Sequence, residues 1–298
     1  MGLVLAVVLS GCALAPPAGG EGSSAYSARV VRVVAAEDFW GSIVAQIGGA
    51  HADVVSIIDN PETDPHSYEP TAADARRLAD AQVTVLNGAG YDPWMQQLLA
   101  ADGGDRTVLD VGTLVGVAPG GNPHLWYSPT FVGQVVGAVT ADLARVDPAD
   151  RAYFDARAQR FEQVGLAGYH AAIASIRARF AGTEVGASES IVVYLCRALG
   201  LDLVTPPSFL RAVSEGTDVS AADIVTIDDQ IHGRTLHAYL ENTQNLTPDV
   251  QTQVSAARAA GIPVVPVTET LQPVGVTFQA WQTAQLAALA TALEAFRG

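Results

Sequence analysis

The sequence has no lysine. All 16 of its basic residues are arginine, set against 31 aspartates and glutamates, for a formal net charge of −15 in 298 residues. A chain of that sign repels a phosphate backbone, which excludes nucleic acid as a partner. It has no polybasic patch to hold an anionic lipid surface. Cysteine is scarce as well, at Cys12 and Cys196 only. There is no His-Glu-x-x-His helix and no nucleophile elbow, so two common signatures of hydrolytic enzymes are missing. No short internal repeat is present, which argues against a solenoid or a propeller.

What is there begins at the N-terminus. Met1 to Leu9 is apolar and leads into Leu9-Ser10-Gly11-Cys12, the pattern of a bacterial lipobox. Such a run is too short to span a bilayer and reads as a signal segment, although no arginine precedes it. Cleavage before Cys12 leaves a thiol for lipid attachment. Ala13 to Ser27, rich in Ala, Pro, Gly and Ser, then reads as a flexible tether. With Cys12 used in this way, Cys196 has no partner for a disulfide. It lies in Tyr194-Leu195-Cys196-Arg197-Ala198-Leu199, a helix face, and is expected buried and inert.

Hydrophobic residues make up 49% of the chain, enough for one large core or two modest ones. β-Branched runs at 29–35, 54–58, 83–86 and 107–110 predict strands, and helical spacing at 38–47, 71–81, 93–101 and 130–145 predicts the helices around them. The stretch 148–180 differs: after Pro148 it holds no proline and only two glycines, Gly165 and Gly168, with apolar residues at helical spacing. It predicts one long helix or two abutting ones, about 45 Å end to end. Such an element suits a strut between lobes. Alternation then resumes, with strands at 184–187, 203–204, 236–240 and 264–267 and a terminal helix at 278–296. The expected fold class is α/β, two lobes with mainly parallel sheets joined by a long rigid helix. The expected division is 1–28 for the signal segment and tether, 29–147 for the first lobe, 148–182 for the linking helix and 183–298 for the second lobe.

Open α/β sheets bind ligands at the carboxyl ends of their strands. Four residues sit there. His66 lies in Asp64-Pro65-His66-Ser67-Tyr68-Glu69-Pro70 and His124 in Asn122-Pro123-His124-Leu125-Trp126, each preceded by proline. Imidazole is the commonest protein metal ligand. Glu189 follows the strand at 184–187 and Glu269 the strand at 264–267. Taken by themselves, these carboxylates equally suit the N-terminus of a helix. Glu69 reads as a turn residue or a support to its neighbours. His51, His170, His232 and His237 read as structural or exposed, and the four tryptophans as packing residues.

Those two segments, with Glu37-Asp38-Phe39-Trp40-Gly41 and Asn87-Gly88-Ala89-Gly90-Tyr91, resemble the ZnuA/TroA-like family. These are the zinc/manganese solute-binding proteins of bacterial ABC importers, and the likeness runs from about Val30 to the C-terminus. The resemblance implies two α/β lobes bridged by a long helix with one metal between them, and a ligand set of His66, His124, Glu189 and Glu269. Glu189 is reached by counting back five residues from Tyr194; it stands where zinc binders often have His and several manganese binders have Glu. Glu269 stands where the family usually has Asp. Two imidazoles with two carboxylates suit Zn²⁺, Mn²⁺ or Fe²⁺ and argue against Mg²⁺, with zinc and manganese the two cargoes left open. The resemblance also implies a non-enzymatic, extracytoplasmic monomer, held to the membrane by a lipid on Cys12 and delivering its metal to an ABC permease. The rival readings are a metal-dependent hydrolase, a surface adhesin, and a binding protein for a siderophore or cobalamin.

Overall fold

A valine-rich run forms the first strand, β1 (Val31–Glu37), which is buried along nearly its whole length, as the middle of a parallel sheet requires. This computed structural model describes residues 1–4, 30–63, 65 and 68–296. The signal segment, Cys12 and the tether lie outside the described residues, and so do Asp64, His66 and Ser67. After β1 come α1 (Asp38–Gly48), β2 (Ala52–Ile58), α2 (Ala72–Asp80), β3 (Val83–Leu86), α3 (Pro93–Asp102), β4 (Thr107–Asp110) and a short α4 (Val111–Val115). The strands make one parallel sheet in the order β2-β1-β3-β4, with Val33 beside Val54 on one side and Val83 on the other. The direction of winding reverses at β1. The carboxyl ends of β1 and β3 therefore flank a crevice.

Three helices follow: α5 (Pro129–Val146), α6 (Arg151–Arg160) and α7 (Ala167–Phe180). Of the two expected forms, the structure has two abutting helices rather than one rod. A π turn at Phe161–Gly165 joins them, where Leu166 N–H donates to Phe161 O at 2.8 Å, five residues back. The second half then runs β5 (Glu184–Ala187), α8 (Val193–Leu199), β6 (Asp202–Leu203), α9 (Pro207–Ser214), α10 (Ala221–His232), β7 (Tyr239–Asn242), α11 (Pro248–Ala259), β8 (Val264–Val267) and α12 (Phe278–Phe296). Its strands are also parallel, in the order β6-β5-β7-β8, which repeats the order of the first sheet. Two details depart from the sequence reading. β7 lies a few residues beyond the expected 236–240, and the short helices α4 and α9 were not anticipated.

One continuous core runs from Val31 through Trp126, Tyr169 and Phe278 to Leu293 and so spans both lobes. A smaller cluster around Leu78, Trp94 and Met95 covers the other face of the first sheet. All four tryptophans are buried, as expected of packing residues. Cys196 is buried too, and burial pushes its thiol up to about 12, which makes it unreactive at neutral pH. Among the described residues, no helix is long and apolar enough to cross a membrane.

A polar seam joins α1 to the second half. Asp38, Ser42 and Gln46 recur every four residues and so share one helix face. Asp38 Oδ2 accepts Leu271 N–H at 3.2 Å, and Ser42 Oγ accepts Phe278 N–H at 3.0 Å. The amides of Gln46 and Gln279 bond to each other at 3.0 and 2.6 Å. Phe278 opens α12, so Ser42 satisfies one of the orphan donors of a helix from across the lobe boundary. Ser42→Ala is expected to cost about 1 kcal/mol, the usual penalty for a lost helix cap, read as a lower urea midpoint with an unchanged slope. An unmoved midpoint would mean that solvent replaces the hydroxyl.

Candidate metal centre

Three buried side chains from both halves converge: His124, Glu189 and Glu269 each offer one ligand atom, and these atoms lie within 4.8 Å of one another. Their residues are 0%, 1% and 4% exposed. His124 comes from the first half, just before a single 3-10 turn at Leu125–Tyr127. Glu189 follows β5, and Glu269 follows β8. Both carboxylates thus stand at strand carboxyl ends, as the sequence reading required. His66, the fourth expected ligand, lies outside the described residues. Its flanks are placed: Pro65 O accepts Trp94 Nε1–H at 3.1 Å, and Tyr68 meets the Trp94 ring edge-on and donates to Asp74 Oδ2 at 2.8 Å. Pro65 and Glu269 line the same cavity of about 390 Å³. Glu69 is exposed, in keeping with a turn residue.

The imidazole of His124 is held by its neighbours. Asn122 Nδ2 donates to Ser190 O at 2.7 Å, and Asn122 Oδ1 accepts the His124 backbone N–H at 3.0 Å, which fixes the amide the right way round. Nδ1 lies 2.8 Å from that same oxygen. An amide oxygen only accepts, so Nδ1 carries the proton and Nε2 presents its lone pair. This is the arrangement metal-binding histidines commonly have.

The motif residues build the wall behind this ring. Phe39 stacks on Trp126 at 4.0 Å, and Trp126 meets His124 edge-on at 5.4 Å. Trp40 Nε1–H donates to Asn87 Oδ1 at 3.1 Å, and Asn87 Nδ2 donates to Pro123 O at 2.8 Å, so α1 is tied to the histidine loop through one asparagine. Gly88 follows with φ of +69°, where a Cβ would sit 2.2 Å from Asp110 Oδ1. That turn aims Tyr91, whose hydroxyl donates to Glu269 Oε2 at 2.8 Å.

Every oxygen of the two carboxylates accepts from a neutral donor. Glu189 Oε1 and Glu269 Oε1 share the Asn242 amide, the latter at 2.7 Å. Glu189 Oε2 accepts from Ser214 Oγ at 2.9 Å and Asn245 Nδ2 at 3.2 Å. Gln244 Oε1 accepts Glu269 N–H at 2.6 Å, while its Nε2 donates to Pro61 O at 2.7 Å, on the loop that leads to His66. Burial, and after it the negative charge of Glu269, raises the Glu189 carboxyl well above the ordinary carboxylate range. Burial and the same charge raise the Tyr91 phenol. Two buried carboxylates this close favour a cation between them. An imidazole nitrogen with carboxylate oxygens is a donor set for a borderline transition metal, so the residues fit such an ion.

Asn242, Gln244, Ser214 and Asn245 were not singled out from the sequence. The place of Asn242 at the carboxyl end of β7 was the available signal, hidden because that strand was expected to end at Leu240. Tyr194 acquires a reason: its hydroxyl donates to Asn122 O at 2.9 Å, so the tyrosine five residues beyond Glu189 braces the His124 loop.

Two parallel sheets of identical order, with a buried nitrogen-and-oxygen donor cluster between them, define a two-lobed binding protein. The chain belongs to the ZnuA family, zinc-uptake complex component A, periplasmic, whose profile it matches over residues 33–292. It is 27% identical over 167 residues to the manganese-binding lipoprotein MntA of Halalkalibacterium halodurans, covering 54% of this chain and 53% of that one. The chain thus spans about half the length of the curated relatives it matches. Among solved structures it resembles the periplasmic zinc-binding protein TroA from Treponema pallidum, with a TM-score of 0.72 at 21% identity, over 89% of this chain and 99% of that one. The solute-binding protein FpvC from Pseudomonas aeruginosa in complex with Mn²⁺ gives a TM-score of 0.72 at 21% identity, over 90% and 99%. At that identity the likeness establishes the fold.

Proposed function

We propose that the protein captures one divalent transition metal, zinc or manganese, between its lobes and delivers it to an ABC importer. The observation that carries this reading is the buried convergence of His124, Glu189 and Glu269, whose carboxylates share the Asn242 amide. His66 completes the ligand set, on a loop whose flanks are fastened to Trp94 and Gln244. The metal is cargo and no reaction is performed on it. Each carboxylate oxygen is already engaged by a donor, which suits a ligand better than a general base. The protein works outside the cytoplasm, tethered through a lipid on Cys12, as a monomer that docks on its permease.

Purified protein freed of metal is expected to take up one equivalent of Zn²⁺ or Mn²⁺ by calorimetric titration. His66→Ala and Glu189→Ala should each weaken uptake at least about 10-fold, the lower bound for disturbing even an outer partner of a metal site. If neither variant differs from the natural protein, these residues are not the ligands.

A further inference from the structure

We propose that Ser214 and Asn245, together with Asn242, determine which metal the site prefers, by holding Glu189 to coordination through a single oxygen. This rests on the reading of the site as a divalent-metal centre and deepens it. A carboxylate oxygen carries two in-plane lone pairs. On Glu189 Oε2 both are engaged, one by Ser214 Oγ at 2.9 Å and one by Asn245 Nδ2 at 3.2 Å. Glu189 Oε1 has one donor, Asn242 Nδ2, and keeps one lone pair. Glu189 therefore reaches a cation through Oε1 alone unless a hydrogen bond breaks. On Glu269 the side-chain donors are divided between the oxygens, Asn242 on Oε1 and Tyr91 on Oε2.

The donors that restrict Glu189 are themselves fixed. The Asn242 amide cannot turn over, because its Oδ1 accepts Gln244 N–H at 3.0 Å and its backbone N–H donates to Ser188 Oγ at 2.9 Å. Asn245 Nδ2 also donates to Val213 O at 3.2 Å. Ser214 Oγ accepts Ser190 N–H at 3.2 Å and lies 2.7 Å from Ser190 Oγ. Ser214, Asn245 and Glu269 line one cavity of about 710 Å³, so the far side of Glu189 is accessible to change without a hole opening in the core.

Two imidazoles, one oxygen of Glu189 and one of Glu269 make four bonds, the number zinc favours. Manganese seeks up to six, mostly to oxygen. Denying the second oxygen of Glu189 thus costs manganese a bond that zinc does not need. With the two donors gone, exchangeable water takes their place on Oε2 and yields to a metal.

The test compares Zn²⁺ and Mn²⁺ affinities, by chelator competition, in the full chain and in Ser214→Ala/Asn245→Ala. The zinc-to-manganese affinity ratio should fall roughly 10-fold, the scale on which outer partners tune metal sites. X-ray absorption of the Mn²⁺ form should show one more oxygen neighbour. Ser214→Thr, which keeps the hydroxyl, should keep the natural ratio. Two affinities that fall in parallel, or a ratio that does not move, overturn the proposal while leaving the metal reading intact. If the natural protein binds neither ion, the metal reading falls and takes this proposal with it.

Discussion

His124→Ala lowers the affinity for zinc at least about 100-fold, equivalent to about 2.7 kcal/mol. Altering a partner that merely orients a ligand costs 10–100-fold, and removing a ligand should exceed that. The substitution deletes an imidazole nitrogen that lies within 4.8 Å of an oxygen of each carboxylate and leaves Glu189 and Glu269 with one ligand atom fewer to share an ion. The surroundings of the ring do not depend on it for their own bonds: Asn122 still reaches Ser190 O, and Phe39 still stacks on Trp126. The variant should therefore fold, with an unchanged circular dichroism spectrum, and fail only at binding. Competition against a coloured chelator measures the loss. An affinity within a factor of three of the natural protein would remove His124 from the site.

The second large effect concerns acidity. Four carboxyl groups, three buried and the fourth, Asp38, half-buried, are raised. Glu37 is raised well above 4.5 by burial and then by the charge of Asp92. Burial lifts Asp38 from 3.8 to about 7 and Asp92 from 3.8 to about 6, and it raises Glu189 as well. The sign follows from proton counting. Between the unfolded values and the raised ones, the folded chain holds more protons than the unfolded chain. Stability must then fall as pH rises through that window, by about 1.4 kcal/mol per pH unit for each extra proton held. The metal-free protein should accordingly melt at a lower temperature at pH 8 than at pH 5. A bound cation reverses the trend, because it requires Glu189 ionised and competes with the proton at low pH. At a thousand times its dissociation constant, free zinc should add about 4 kcal/mol. For a chain of this size that is a rise of about 10 °C. At one fixed zinc concentration the rise should be greater at pH 8 than at pH 5, since proton competition weakens binding at the lower pH. Thermal melts with a chelator and with zinc, from pH 5 to 8, test both slopes. A metal-free melting point that climbs across that interval would contradict the buried-acid account.

Much of the fold was legible because the inner strands of its first sheet are buried on nearly every side. β1 and β3 are β-branched runs, and such runs need no alternation to be recognised in a parallel sheet. Thr71 heads the helix expected at 71–81, and it forms a full capping box with Asp74 at the start of α2. Both carboxylates of the cluster were legible from position alone, as residues just past strand ends. What was not legible is what holds them. Ser214 lies 25 residues from Glu189 and Asn242 lies 27 from Glu269, and nothing local marks either as a donor. Pro206-Pro207-Ser208 reads as a loop, yet Pro207 fits the first turn of α9, whose last residue is Ser214. The π turn at Phe161–Gly165 escaped for a related reason: helical periodicity continues on either side, and one extra residue shifts the face without interrupting the pattern.

The nitrogen of His124 belongs to the first half of the chain and the oxygens of Glu189 and Glu269 to the second. An ion seated among them is a cross-link as much as a passenger, and any pull that parts the halves is carried by its own bonds. Emptying the site then requires no side chain to rotate away. Widening the gap between the nitrogen and the oxygens by about an ångström, from bond length toward simple contact, already undoes the coordination. A receiving surface that grips the two halves separately could turn a small displacement into discharge.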